Sequence, residues 1–193
     1  MIVYLHGFRS SPQSFKARLM VDRMRALGRA AEFACPQLSE RPATAIESVR
    51  VLTSGRAPET LTLIGSSLGG FYATWLAEKL GCRAVLVNPA MRAHEKLGSQ
   101  VGMQTAYHDA TVNFAFLPEY LDQLRDFHVE AITRPERYFL LAATGDEMLD
   151  WREMVGAFPG ARHKVIKGSD HGLSDFADHL DEVLAFAGVA PAH

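Results

Sequence analysis

The sequence predicts an α/β domain built on a doubly wound sheet of about six parallel strands. Three observations point there. Short apolar runs alternate with segments of helical periodicity, the order that produces parallel sheets covered on both faces. The runs are continuously apolar rather than alternating, as strands buried on both faces require. The chain has 193 residues, 48% of them hydrophobic, which fills one sizeable core and leaves little for a second. Residues 1–193 therefore read as a single domain.

The elements follow in order. Residues 2–5 form the first apolar run, and a loop with Gly, Ser and Pro follows to Pro12. Residues 14–27 read as a helix: Phe15, Leu19, Val21 and Met24 recur near helical spacing, and Gly28 stands where a C-cap belongs. A short strand over 31–35 ends at Pro36, and residues 44–53 are helical with Ile46, Val49 and Val51 as apolar positions. A third strand over 61–64 runs into a helix over 67–80, with Gly81 past its end. Residues 84–87 make a fourth strand, stopped by Asn88-Pro89. Residues 138–143 make a fifth, 151–158 a helix, 163–166 a sixth strand, and 176–186 a closing amphipathic helix.

One segment breaks the rhythm. About 91–137 separates the fourth and fifth strands, too long for a tight crossover. It holds a helix over about 118–127 and a shorter one near His94. Connections of this length in compact domains are usually functional, so the segment is expected to form a small cap above the strand ends.

Composition excludes several function classes. Net charge is −2 and charged residues make up 22% of the chain. This gives neither the basic footprint of a nucleic-acid binder nor a polybasic membrane patch. The two cysteines, Cys35 and Cys82, form no C-x-x-C pair, and the eight histidines show no H-E-x-x-H spacing. The cysteines read as small, buried residues near strands. No basic segment leads into an apolar stretch at the N-terminus, and no apolar run approaches bilayer length. The expected location is the cytoplasm, with neither nucleic acid nor membrane as partner; the oligomeric state is left open.

Ligands of doubly wound sheets lie outside the carboxyl ends of the strands, so the residues just after each strand carry the chemistry. After the third strand stands Gly65-Ser66-Ser67-Leu68-Gly69. It fits G-x-S-x-G in one register, with Ser67 central; Ser66 would need glycine at 64 and 68, which are Ile and Leu. In such an elbow the serine sits on a strained strand-to-helix turn that lifts its hydroxyl above the sheet. Its neighbours two residues away must be small for strand and helix to approach. The helix that follows points its free amides at any developing anion. A five-residue match is weak alone, and the flanking strand and helix add weight to it.

An acid and a histidine must follow in that chain order. Asp146, in Thr144-Gly145-Asp146-Glu147, follows the fifth strand; His171, in Gly168-Ser169-Asp170-His171-Gly172, follows the sixth. His171 would take the Ser67 proton and return it to the leaving group, while Asp146 orients the imidazole ring. Glu147, Asp150 and Asp170 are competing acids. An oxyanion hole needs two backbone amides. Leu68 supplies one, and Phe8, in the His6-Gly7-Phe8 loop after the first strand, is the candidate for the other. His6 reads as structural, its ring bonding loop backbone. Arg9, Phe116 and Tyr120 are candidates for lining the substrate pocket; Arg9 is otherwise a solvated loop charge, and the aromatics a small core that holds the cap down. No metal or organic cofactor is called for.

Several segments together resemble the YqiA/YcfP-type bacterial esterases: residues 5–8 and 10–12, Gly65 through Leu76, Val87-Asn88-Pro89-Ala90, and Thr144 through Asp150. The likeness spans about 1–186. It implies a compact α/β-hydrolase fold lacking the first two strands of the larger form. It also implies carboxylesterase or thioesterase activity on small acyl esters or thioesters, with Ser67, Asp146 and His171 as the triad. The stretch 92–137 departs from the pattern, as does Gly172-Leu173-Ser174 beside the histidine. The same triad also serves carbon–carbon bond hydrolases and haloperoxidase-like enzymes. A non-catalytic binding module on this fold would usually lack a triad member.

Overall fold

The computed structural model describes residues 1–189. Its strands are β1 (Ile2–Leu5), β2 (Phe33–Ala34), β3 (Thr62–Ser66), β4 (Arg83–Val87), β5 (Gly102–Thr105), β6 (Asn113–Phe116), β7 (Tyr138–Ala143) and β8 (Arg162–Ile166). Its helices are α1 (Phe15–Ala26), α2 (Pro42–Leu52), α3 (Leu68–Leu80), α4 (Ala93–Lys96), α5 (Pro118–Asp126), α6 (Trp151–Ala157) and α7 (Leu180–Phe186). Six strands form one sheet in the order β2-β1-β3-β4-β7-β8, every pair parallel. The chain leaves β1 in one direction to reach β2, then reverses to β3. With crossovers of one hand, that reversal sends α1 and α2 to opposite faces and opens a crevice at the ends of β1 and β3.

The side chains follow this division. Val3, Leu5, Leu63, Leu86, Leu140 and Ala142 pack on one face with α2, α3, α5 and α6. Ile2, Tyr4, Ile64, Val85, Phe139 and Leu141 pack on the other with α1 and α7. Strand residues thus alternate between two cores, which is why the runs are apolar throughout. Tyr138–Ala143 is buried at every position. The outer strand β8 is different: its Arg162 and Lys164 pair with Glu182 on α7, a charged edge of the kind that resists pairing with further strands.

Helix ends are where turn chemistry puts them. Gly28 and Gly81 stand just past α1 and α3 with φ of 68° and 75°, a region glycine enters without penalty. β2 is shorter than expected, because a tight helical turn, Ala30–Glu32, takes up the start of that run. The closing helix likewise begins as a 3₁₀ turn, Phe176–His179, before α7. Cys82 is buried and Cys35 partly so; both thiols are free, and burial pushes them up to about 11 and about 12.

The segment between β4 and β7 divides in two. α5 packs against α2 and α4, and its Tyr120 and Leu124 belong to the core beneath it. The part before it holds α4 and an antiparallel hairpin, β5–β6, which the sequence reading does not anticipate. Hairpin strands four residues long, with polar Gln104, Thr105 and Asn113 among them, carry too little hydrophobic periodicity to stand out.

Candidate active site

Ser67 ends the turn from β3 into α3 at φ 55°, ψ −119°. That is left-handed backbone for a residue with a Cβ and costs of order 1–3 kcal/mol. The glycines explain how the turn closes. A Cβ on Gly69 would lie 2.0 Å from the Leu5 carbonyl oxygen, and one on Gly65 2.2 Å from that of Gly69. Only glycine permits β1, β3 and α3 to approach so closely. The Ser67 amide donates to the Val87 carbonyl at 3.0 Å, and its carbonyl accepts from Ala90 at 3.1 Å. The end of β4 therefore holds the turn by both backbone groups of Ser67.

Three side chains from three strand ends meet above it. His171 Nδ1 donates to Asp146 Oδ2 at 2.8 Å, since a carboxylate only accepts. That leaves Nε2 to accept the Ser67 hydroxyl, 3.0 Å away. The Asp146 side chain is 1% exposed and that of His171 17%. Asp146 Oδ1 accepts the amides of Met148 (2.9 Å) and Leu149 (2.8 Å). Burial alone would push the Asp146 carboxyl up; the bonds from His171, Leu149 and Met148 outweigh it and hold the group below its ordinary value.

The three competing acids have other tasks. Asp150 caps α6 through the Arg152 amide at 2.9 Å. Glu147 accepts the His171 backbone amide at 3.0 Å. Asp170 accepts the Ser174 amide at 2.9 Å. Gly145 lets the β7 and β8 loops touch, since a Cβ there would sit 2.3 Å from the Ser169 carbonyl oxygen.

The amides of Phe8 and Leu68 donate to no acceptor among the described residues, and both residues line the cavity over Ser67. His6 is buried; its Nδ1 donates to the Gly7 carbonyl at 3.0 Å and its Nε2 accepts the Leu38 amide at 3.0 Å. It is structural, as the sequence reading has it. The loop it braces is also held by the unanticipated hairpin. The Phe8 ring packs edge-on against Phe116 (5.1 Å) and Phe114 (5.8 Å). Arg9, at φ 62°, donates from Nε to the Thr105 carbonyl at 2.6 Å and stacks 4.3 Å above Tyr107.

The cavity has a volume of about 770 Å³ and is reached by Ser67, His171, Arg9, Leu97, Tyr107 and Leu149, among others. Phe116 and Tyr120, expected to line it, do not. Phe116 is 1% exposed, wedged between the rings of Phe8 and Tyr120 (5.1 and 5.6 Å). Apolar rings at the root of the insertion gain more from the core than from the solvated cavity. Arg9 does line the cavity.

Asn88 is the residue the sequence reading missed. It is fully buried at φ 42°. Its Oδ1 accepts the Ala143 amide (2.8 Å), and its Nδ2 donates to the carbonyls of Asp170 (3.0 Å) and His171 (3.1 Å). It therefore ties the end of β7 to the histidine loop. The signal was present: Asn tolerates left-handed backbone and offers both a donor and an acceptor, and here it stands at a strand end. Among the described residues no three His, Cys, Asp or Glu side chains cluster as metal ligands would.

A family model described as an uncharacterised protein family, UPF0227, matches residues 1–188. The chain belongs to the UPF0227 family. The YqiA-type likeness read from its motifs is thereby borne out. A UPF0227 protein of Pectobacterium carotovorum subsp. carotovorum strain PC1 is 24% identical over 190 residues, 96% of this chain and 98% of that one. Among solved structures, alpha/beta hydrolase domain-containing protein 10 from mouse superposes with a TM-score of 0.69 at 15% identity, over 95% of this chain and 89% of that one. Est1E from Butyrivibrio proteoclasticus, with ferulic acid bound, gives 0.68 at 14% identity, over 95% and 85%. The fold of this UPF0227 member is that of the α/β hydrolases. No helix among its described residues is long and apolar enough to cross a membrane.

Proposed function

We propose that this protein is a serine hydrolase that cleaves carboxylic esters or acyl thioesters through an acyl-enzyme intermediate. The observation that carries the reading is the unbroken hydrogen-bond chain from Ser67 Oγ through His171 to Asp146, at 3.0 and 2.8 Å. In the proposed mechanism His171 Nε2 takes the Ser67 proton as Oγ attacks the acyl carbonyl. The imidazolium that forms faces Asp146, whose carboxyl is held ionised. The free amides of Phe8 and Leu68 receive the tetrahedral oxyanion, assisted by the positive end of α3. His171 then gives its proton to the leaving oxygen or sulfur. Water, activated by the same nitrogen, releases the acid.

The bond to Asp146 sets the working tautomer of His171. Without it Nδ1 has no reason to carry the proton, and Nε2 is not reserved for the serine. The backbone strain at Ser67 and the glycines packed around it support the same reading. A serine at this turn with no catalytic task would gain nothing from so costly a conformation.

The test is hydrolysis of 4-nitrophenyl butyrate together with labelling by a fluorophosphonate probe. Wild type should cleave the ester and take the label on Ser67. S67A should lose about 10⁴-fold or more in kcat, take no label, and melt at the wild-type temperature. Full activity in folded S67A would overturn the assignment. A folded wild type that neither cleaves nor labels would favour a binding module.

A further inference from the structure

The cavity over Ser67 has a polar corner that acyl transfer itself does not use. Tyr4, Ser10, Ser14, Lys16 and Asp170 line it beside Ser66. Lys16 is its unusual member. The residue is 9% exposed and lies in the first turn of α1, where the helix dipole disfavours a cation. Its ammonium donates to the Gly172 carbonyl, and no second acceptor for it is present among the described residues, although it has three protons to give. Burial pushes the ammonium down to about 8, with the charge of Asp170 acting against that. Nearby, the Tyr4 phenol, which also lines the cavity, lies beside the buried hydroxyls of Ser14 and Ser66. Buried polar groups are seldom left unmatched, and the Lys16 ammonium has protons to spare in this corner.

Charge narrows what fits. Lys16 is positive and Asp170 negative, so an anion meets Asp170 and a cation meets Lys16. A hydroxyl accepts from the one and donates to the other. Position narrows it further. Asp170 and Gly172 flank His171, and a leaving oxygen must lie within reach of His171 to take its proton. The apolar lining, Leu68, Ala90, Leu97 and Leu149, comes from other elements.

We propose that Tyr4, Lys16 and Asp170 form an alcohol subsite for a neutral, hydroxyl-rich leaving group such as a polyol or sugar, with the acyl chain held along Leu68, Ala90, Leu97 and Leu149. This rests on the serine-hydrolase reading and names its substrate class. The covalent step is that of the hydrolysis: Ser67 Oγ bonds to the carbonyl carbon, the bond to the alcohol oxygen breaks, and the proton on His171 passes to that oxygen.

The experiment compares kcat/KM for glycerol monobutyrate and propyl butyrate, which share an acyl chain. Wild type should favour the glycerol ester by about tenfold or more, since a site built to bond hydroxyls discriminates against analogues lacking them. K16M, which keeps the apolar stem, should bring the ratio near one, and Y4F, which removes only the phenol hydroxyl, should lower it by a smaller factor. Because the ratio is read, general damage to the histidine loop cancels. A wild-type ratio near one, or a ratio unchanged in both variants, overturns the subsite, as does a stronger preference for butyrylcholine or for the butyrate ester of glycolate. If those results come with Ser67-dependent cleavage of 4-nitrophenyl butyrate, only the subsite fails. If no ester is cleaved and Ser67 takes no fluorophosphonate label, the hydrolase reading fails and the subsite with it.

Discussion

Two regions of this molecule surround Ser67, and they are built differently. From Leu61 to Ala90 the chain runs through β3, the elbow, α3 and β4, and most residues are buried. From 98 to 117 it runs through the β5–β6 hairpin, where Met103 is 71% and Tyr107 68% exposed. The first region positions atoms through backbone that has no room to move. The second reaches the site through a few side chains: Phe114 and Phe116 against Phe8, and Tyr107 against Arg9. Errors in the first region should therefore cost chemistry or the whole fold; errors in the exposed part of the second should cost the shape of the pocket first, while Phe116, buried at its root, should behave as core.

Substitutions at the site and in each region test this difference. The largest effect is expected at Asp146. D146N keeps the shape but offers an amide to His171 Nδ1, so kcat should fall by about 10⁴-fold while the protein remains folded at neutral pH. An equal or larger loss in D150N would move the acid to the residue that caps α6. Next is F116A, which empties the joint between the hairpin, α5 and the Phe8 loop. It should lose about 3–5 kcal/mol in denaturant unfolding. A loss below about 1 kcal/mol would show that this part of the insertion is not core.

N88A comes third. It strands the Ala143 amide and two carbonyls of the histidine loop, and should cost about 2–4 kcal/mol together with a fall in kcat. N88D, which keeps the acceptor for Ala143 and loses the donor, should separate the two halves of that role. At the small end, Y107A should change stability by less than about 0.5 kcal/mol, because the ring is exposed. Its effect should appear in KM. If Y107A instead lowered kcat as D146N does, the contrast between the two regions would be wrong.

Acid gives the last test. The Asp146 carboxyl is held below its unfolded value, so its contribution to stability is present above that value, near about 3.9, and is lost as pH falls through the lower folded one. The gap in unfolding midpoint between wild type and D146N should narrow between pH 7 and pH 3. A gap that widened on acidification would mean the carboxyl is held above its unfolded value.

Much of this site is legible before folding. Ser67 and Asp146 are found because each follows an apolar strand, His171 because it follows the next strand in the required chain order, and the elbow because it needs glycine at fixed distances from its serine. Phe116 and Tyr120 show where such reading stops. An aromatic in an insertion looks the same whether it faces a substrate or a core, and the ring contacts with Phe8 settle its place. Asn88 escaped for a related reason: its partners, Ala143, Asp170 and His171, lie 55 to 83 residues away.

Periodicity and turn chemistry are local properties, so the order of the strands and helices of the main sheet, the glycine-lined elbow and the strand ends that bear the reactive groups are written in the sequence, whereas the short polar hairpin is not. Whether those ends converge depends on sheet order, and the tertiary structure alone decided it. The reversal after β2 sets β1 beside β3 and puts the His6-Gly7-Phe8 loop against the elbow. The same holds for the charge pattern of the cavity. Lys16 and Asp170 are 154 positions apart in the chain, and only packing α1 against the histidine loop brings them to one corner.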